Sequence, residues 1–226
     1  MTRRFQPPDR IRVRRQPKKG RYDRASVEAI LDRGLVAHIA FVDRGEPVCI
    51  PTFYVRSGDE LYVHGSRASR AMRLWASGER VCVTVTLLHG LVLARSVFEH
   101  SANYESVVVF GCFRLIDDEA ERLAALQTFT NRVVPDRWDE VRSPNAKELK
   151  ATMILAMPLS EASAKVRFGP PDDDDSDDAA LDVWAGELPI ATSFGEPIPS
   201  PGLRPTIPLP NSIRSLADLM AATEAE

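Results

Sequence analysis

The run His64-Gly65-Ser66-Arg67-Ala68-Ser69-Arg70 packs small residues, hydroxyls and two guanidinium groups into seven positions. Small residues let backbone N–H groups approach a ligand, and arginine supplies forked donors for an oxyanion. The residues that follow, ASRAMRLWAS (68–77), read as a two-turn helix closed by Gly78, so the run also stands where a helix start adds partial positive charge. Together these are the chemistry of a phosphate seat. Upstream, from Pro47, the sequence reads as two strands joined by a tight turn. The seat therefore lies where a sheet edge hands over to a helix.

Other chemistries find little support. No paired carboxylates, nucleophile elbow or Ser/His/Asp arrangement argues for hydrolysis, and no catalytic residue can be named. No GxGxxG strand–helix unit is present, so NAD(P)H would have to bind without a Rossmann domain. Cys49, Cys82 and Cys112 each sit in an apolar segment without CxxC spacing, which predicts buried free thiols in a reducing compartment and no metal site. The acidic run DDDDSDD (172–178) lacks the alternating spacing of a calcium loop and reads as a solvated loop.

At 226 residues, 44% hydrophobic and 27% charged, the composition is that of an ordinary soluble globular protein. A net charge of −3 gives no general attraction for nucleic acid. The start, MTRRFQPPDRIRVRR, lacks the apolar run of a signal peptide, and no stretch approaches a membrane span; a cytoplasmic location is expected. Residues 1–20 read as a basic arm, 21–190 as the folded domain with an acidic loop at 171–178, and 191–226 as a proline-rich tail with a terminal helix capped by Asn211 or Ser212.

Within the folded domain, Asp23 or Ser26 can cap a helix that Gly34 would end in the left-handed conformation. From Leu35 short β-rich runs alternate with Gly- and Asp-containing turns, the hairpin pattern. Further strands are expected at 80–88, 91–100, 104–116, 151–159 and 165–169, with an extended segment at 182–190 and Gly111 marking a bulge. A helix from Asp117 to Val133 should bury Ala120, Leu123, Leu126 and Phe129; a short one is expected near Asn145–Lys150, and Trp75 should lie in the core. Six or seven strands, mostly in hairpin order, with helices outside, predict a mainly β fold: an antiparallel β-barrel with flanking helices, which would remove exposed edges, with a two-layer open sheet as the main alternative.

The order IPTFY, LYVHGSRASRAM, NYESVVVFG, VWAGELPI resembles the pyridoxamine 5′-phosphate oxidase-like, FMN-binding split-barrel superfamily, and within it the nitroimidazole-resistance (NimA-like) branch. The likeness covers roughly Arg21 to Ile190. It implies a homodimer with FMN at the subunit interface. Ile50, Pro51, Thr52 and Phe53 would line the isoalloxazine, largely through backbone groups. His64, Gly65 and Ser66 would sit beside the ribityl chain and phosphate, with Arg70 as the phosphate-binding residue and Ser69 next to it. Ser106 and Trp184 would reach the flavin from the partner subunit.

Two departures matter. True pyridoxamine phosphate oxidases end in a tryptophan–arginine pair that grips the substrate phosphate, whereas here no arginine closely follows Trp184, which argues against pyridoxal chemistry. The lysine that many relatives carry beside the phosphate arginine is Ala71, which leaves Arg67, Arg70 and Arg73 to supply charge. The resemblance thus implies an FMN-dependent oxidoreductase acting on a small molecule. The alternative is a non-catalytic flavin- or haem-binding sensor or store.

Overall fold

In the computed structural model residues 7–173 and 176–216 are described; the first residues of the basic arm, part of the acidic run and the end of the terminal helix lie outside them. The chain divides into two compact units, one of residues 1–116 and 153–191, the other of 117–152 and 192–226.

The first unit carries β1 (Gly20–Arg21), α1 (Arg24–Arg33), β2 (Val36–Asp43), β3 (Glu46–Phe53), β4 (Val55–Ser57), β5 (Glu60–Ser66), α2 (Arg70–Ala76), β6 (Arg80–Leu93), β7 (Ser101–Cys112), β8 (Arg114–Leu115), β9 (Thr152–Pro158), β10 (Ala162–Arg167) and β11 (Gly186–Pro189). Local chemistry sets the helix starts. Asp23 caps α1 by accepting from Ser26 N at 2.8 Å, and Ser69 caps α2 by accepting from Met72 N at 3.4 Å. Gly34 does not take the expected left-handed conformation; its φ is −71°. It is small for a packing reason instead, since a Cβ there would lie 2.6 Å from both Tyr54 Oη and Val85 Cγ1.

The strands do not close into the expected barrel. They form two open sheets, one of seven strands in the order β1-β10-β7-β6-β2-β3 with β11 beside β6, and one of four in the order β4-β5-β9-β8. The reason lies at Tyr54. That residue is 2% exposed and hydrogen-bonds through its hydroxyl to Leu31 O at 2.6 Å. It interrupts the strand run, so β3 remains an edge of the large sheet while β4 begins the small one. The outcome is a mixed α/β fold.

Two strands differ from their expected limits. The sequence around His89-Gly90 does not separate two strands but lies inside the 14-residue β6. The register shift falls between Leu88 and Gly90 rather than at Gly111, which pairs regularly with Val81. The missing side chain of Gly111 makes room for Met157, whose Cγ would be 3.0 Å from a Cβ there. Beyond Leu93 the segment expected to continue as strand turns through a short 3-10 helix, Val97–Glu99.

The core is filled by the inward residues of the large sheet, Ile39, Val83, Val85, Val107 and Val109 among them, with Ile30 and Leu31 of α1 and Trp75 of α2. Trp75 meets Phe41 edge-on at 5.7 Å between ring centroids and Phe113 at 5.9 Å. The cysteines take the other face. Cys49 and Cys112 are exposed and Cys82 is half-buried, because their strand neighbours Val48, Ile50, Val81 and Val83 point inward and alternation turns the thiols outward. All three thiols are free, but not buried as expected; partial burial pushes the Cys82 thiol up.

The second unit holds α3 (Glu119–Val133), capped by Asp118, and α4 (Ala146–Ala151), whose Asn145 and Glu148 form a reciprocal capping box. In α3, Phe129 is buried with Ala125, whereas Ala120 is exposed and Leu123 and Leu126 are half-buried, so the apolar face is narrower than its spacing suggested. The tail's helical residues 211–216 are tied to this unit by Ser212 N, which donates to Glu140 at 3.1 Å. No helix among the described residues is long and apolar enough to cross a membrane.

Candidate functional site

Ile50, Pro51, Thr52 and Phe53 lie on β3, an edge of the large sheet. Proline fits there because an edge strand tolerates a missing N–H, and the same edge leaves backbone donors and acceptors unpaired on its far side. Side chains alternate: Ile50 and Thr52 are half-buried, while Pro51 and Phe53 are exposed. A ligand lying along this edge would meet main-chain groups first.

The small sheet delivers the second group. β5 ends in His64, Gly65 and Ser66, and the turn to α2 is fixed by Ser66 Oγ, which accepts from Ala68 N at 3.1 Å. Gly65 is small because a Cβ would lie 3.0 Å from Met72 Cγ, so its freedom serves internal packing. His64 reaches solvent, yet desolvation by surrounding protein holds its imidazole below the ordinary histidine range. Ser69 and Ser66 use their oxygens as acceptors within the turn, which leaves their hydroxyl protons for a ligand. α2 has only seven residues, so charge at this turn comes from guanidinium groups rather than from a helix dipole.

Arg70 is exposed and pairs with Asp43 of β2, Nη1 to Oδ2 3.1 Å. Arg67 is exposed and has no partner among the described residues. Arg73 turns back, its Nη1 donating to Ala68 O at 2.9 Å. Ala71 is buried in the core, so a side chain at this position does not face the turn at all.

Ser106 and Trp184 are not brought to this group within one chain. Ser106 lies on β7, three strands across the sheet from β3, or about 14 Å at ordinary strand spacing. Its hydroxyl makes a long contact, 3.4 Å, to Lys165 O. Trp184 is 67% exposed and precedes β11, where it rests over Gly186; a Cβ at Gly186 would be 2.9 Å from the indole.

Three features escaped sequence reasoning. Asp43 is the partner of Arg70, and nothing in DRGEP distinguished it from a turn acid. Glu105, buried in β7, accepts from Arg33 at 2.8 Å and contacts His89 Nε2 at 2.9 Å, with Phe168 against the His89 ring. Asp173 lies within the run read as a solvated loop, yet it is fully buried and accepts from the Arg95 backbone N at 2.7 Å and from Arg95 Nη1 at 3.0 Å. No group of three or more metal-binding side chains occurs among the described residues.

The family model for pyridoxamine 5′-phosphate oxidase matches residues 23–166. The chain belongs to this family. Among solved structures, the flavocytochrome Anf3 from Azotobacter vinelandii is 40% identical, with a TM-score of 0.88 over 93% of this chain and 97% of that one. The FAD and haem binding protein from Mycobacterium smegmatis is also 40% identical, with a TM-score of 0.84 over 88% of this chain and 97% of that one. A candidate 5-nitroimidazole antibiotic resistance protein from Bacteroides thetaiotaomicron shares the fold at 21% identity, with a TM-score of 0.56 over 65% of this chain and 86% of that one. No curated protein matches the chain. As a family member the chain thus lies nearer in sequence to these two 40% relatives than to the nitroimidazole-type structure.

Proposed function

We propose that the protein is a flavin-binding oxidoreductase acting on a small molecule. The observation that carries this reading is the pair of exposed guanidinium groups, Arg67 and Arg70, presented at the β5–α2 turn next to the open edge of β3. The donor set suits a flavin phosphate: Arg70 keeps donors beyond the one directed at Asp43, Arg67 is unpaired among the described residues, and the hydroxyls of Ser66 and Ser69 belong to the same turn. Backbone groups of Ile50, Pro51, Thr52 and Phe53 would orient the ring, and His64, Gly65 and Ser66 would flank the ribityl chain. Bound flavin supplies one- and two-electron redox chemistry, while the protein places and shields it.

Ser106 and Trp184 fit the site as contributions of a second copy, which makes the working form a homodimer. Residues such as Val36, Phe53 and Leu88 leave apolar surface on the outer side of the large sheet, which supports an interface there. FMN is the smallest flavin that the seat explains. The M. smegmatis relative is described as binding FAD and haem, which favours FAD as the larger choice and haem as a second ligand. For haem, His38 offers an exposed imidazole on the outer sheet face. A nitro-aromatic substrate has only the fold-level likeness behind it.

The test is direct. Purified protein should carry or take up flavin with a shifted visible spectrum, and anaerobic NAD(P)H should bleach it. Flavin that binds and resists physiological reductants would favour a sensor or store. A protein that takes up neither FMN nor FAD would refute the reading.

A further inference from the structure

The central strands β6 and β7 outrun their neighbours in the large sheet. The register of β2 against β6 ends at Thr84, and that of β10 against β7 ends at Tyr104, the partner of Leu88. Past that point the two strands continue as an arm with β11 alone beside them, Gly186–Pro189 against Leu93 to Gly90. The tip, residues 94–100, lies beyond even β11. A bare hairpin end is marginal in water, and this one is braced by side chains. The fully buried Asp173 accepts from the Arg95 backbone N and from Arg95 Nη1, while His100 Nδ1 accepts from Ala94 N at 3.1 Å.

At the end of this braced turn stand Val97 and Phe98, 88% and 89% exposed. Turn tips are normally built of Gly, Pro, Asn, Asp and Ser, so an adjacent valine and phenylalanine held out by buried polar contacts call for a covering surface. They also continue an apolar strip. Leu88 at the base of the arm, Leu91 along it and Leu188, the cross-strand partner of Leu91, are all exposed. Gly186, over which the Trp184 indole rests, pairs with Leu93, so Trp184 and the tip share one end of the arm. Contiguous apolar surface of this kind marks a protein contact, and a rigid aromatic is its best anchor.

We infer that the tip of this arm closes over the flavin of a second copy of the chain, with Phe98 as its cover. The inference rests on the flavin-bound homodimer proposed above. Two observations favour a second copy over another protein. The arm is the continuation of β6 and β7, whose Leu88 and Ser106 belong to the surface assigned to that dimer. Trp184, assigned to the partner's flavin, stands at the same end. In that place Phe98 keeps water from the ring, and the site of each copy is complete only when the other is present.

The experiment uses full-length, flavin-loaded protein in which Phe98 is replaced by photoreactive p-benzoylphenylalanine. The side chain is exposed, so the fold does not depend on it. Irradiation should give a covalent dimer whose joined peptides link position 98 to β3 or the β5–α2 turn of the other copy. Separately, Phe98→Ala should retain flavin and raise iodide quenching of its fluorescence severalfold. A covalent dimer joined elsewhere, a dimer in light scattering that gives no cross-link, a flavin-loaded monomer, or unchanged quenching would each overturn the assignment while leaving the flavin reading intact. A wild-type protein that takes up neither FMN nor FAD would remove that reading and this cover with it.

Discussion

Asp43 and Arg70 join the tip of one hairpin to the first turn of α2, with a carboxylate only 10% exposed facing a guanidinium 63% exposed. The buried partner fixes direction and the exposed one keeps donors to spare. Such a pair adds little stability, because solvent screens the arginine, but it pre-orients a phosphate contact. Arg70→Ala should weaken FMN binding by about 1.5–3 kcal/mol, the size of a hydrogen bond to a charged group, and change folding stability by less than about 1 kcal/mol. Flavin titration and urea denaturation read the two separately. Unchanged flavin affinity would mean that the phosphate lies elsewhere.

Gly34 sits against two groups that cannot yield. Tyr54 is held by its hydrogen bond to Leu31 O, and Val85 belongs to the core. Gly34→Ala should cost about 1–3 kcal/mol by overpacking, measured by thermal unfolding. Were φ the constraint, alanine would be tolerated, since −71° suits any residue.

Glu105 gives the fold an acid-sensitive point. Burial alone would raise its carboxyl, but hydrogen bonds from Arg33 and His89, and their charge, outweigh this and hold it below its ordinary value of 4.5. The folded state therefore binds the proton less readily than the unfolded chain. This stabilisation is complete above about pH 4.5 and is lost as pH falls through the lower folded value. Glu105→Gln should lose about 1–3 kcal/mol at neutral pH, and the gap to wild type should narrow in denaturant titrations repeated below about pH 4. A gap that stays constant with pH would show that the charge is not what matters.

Asp173 pins the start of the acidic segment to Arg95. Asp173→Ala removes the acceptor of the Arg95 backbone N–H and one acceptor of its guanidinium, so the segment around Asp173 should become more cleavable by limited proteolysis. Loss of one partner of a buried pair costs about 3–5 kcal/mol, an upper bound here because Arg95 retains some solvent. Wild-type resistance in the variant would show that other contacts hold the segment.

Much of the local structure was legible in the sequence. Asp23 caps α1 as its chemistry announces, and helices begin close to Ala68, Asp117 and Asn145 as their sequences suggest. The failures concern what meets what. Strand pattern gave no sign that β8 and β9 leave the main sheet for β5, so a barrel looked economical. The thiols of Cys49 and Cys112 were misjudged because an apolar segment says nothing of which alternate face is covered. Asp43 and Asp173 stayed hidden because every acid in a turn looks alike until its partner's position is known.

The long strand β6 has a consequence for how the protein comes together. Its first part pairs with β2 and its last part with β11, while β7 runs along most of it. The β6–β7 ribbon needs only a short loop to close, whereas β11 must return from nearly a hundred residues downstream, a slower search. At that late junction Gly90 stands so close that a Cβ would lie 2.9 Å from Leu188 O. Pairing of the last strand, and with it the placing of the segment bearing Trp184, therefore carries the larger loop-closure cost, at a junction where Gly90 leaves room for the Leu188 carbonyl.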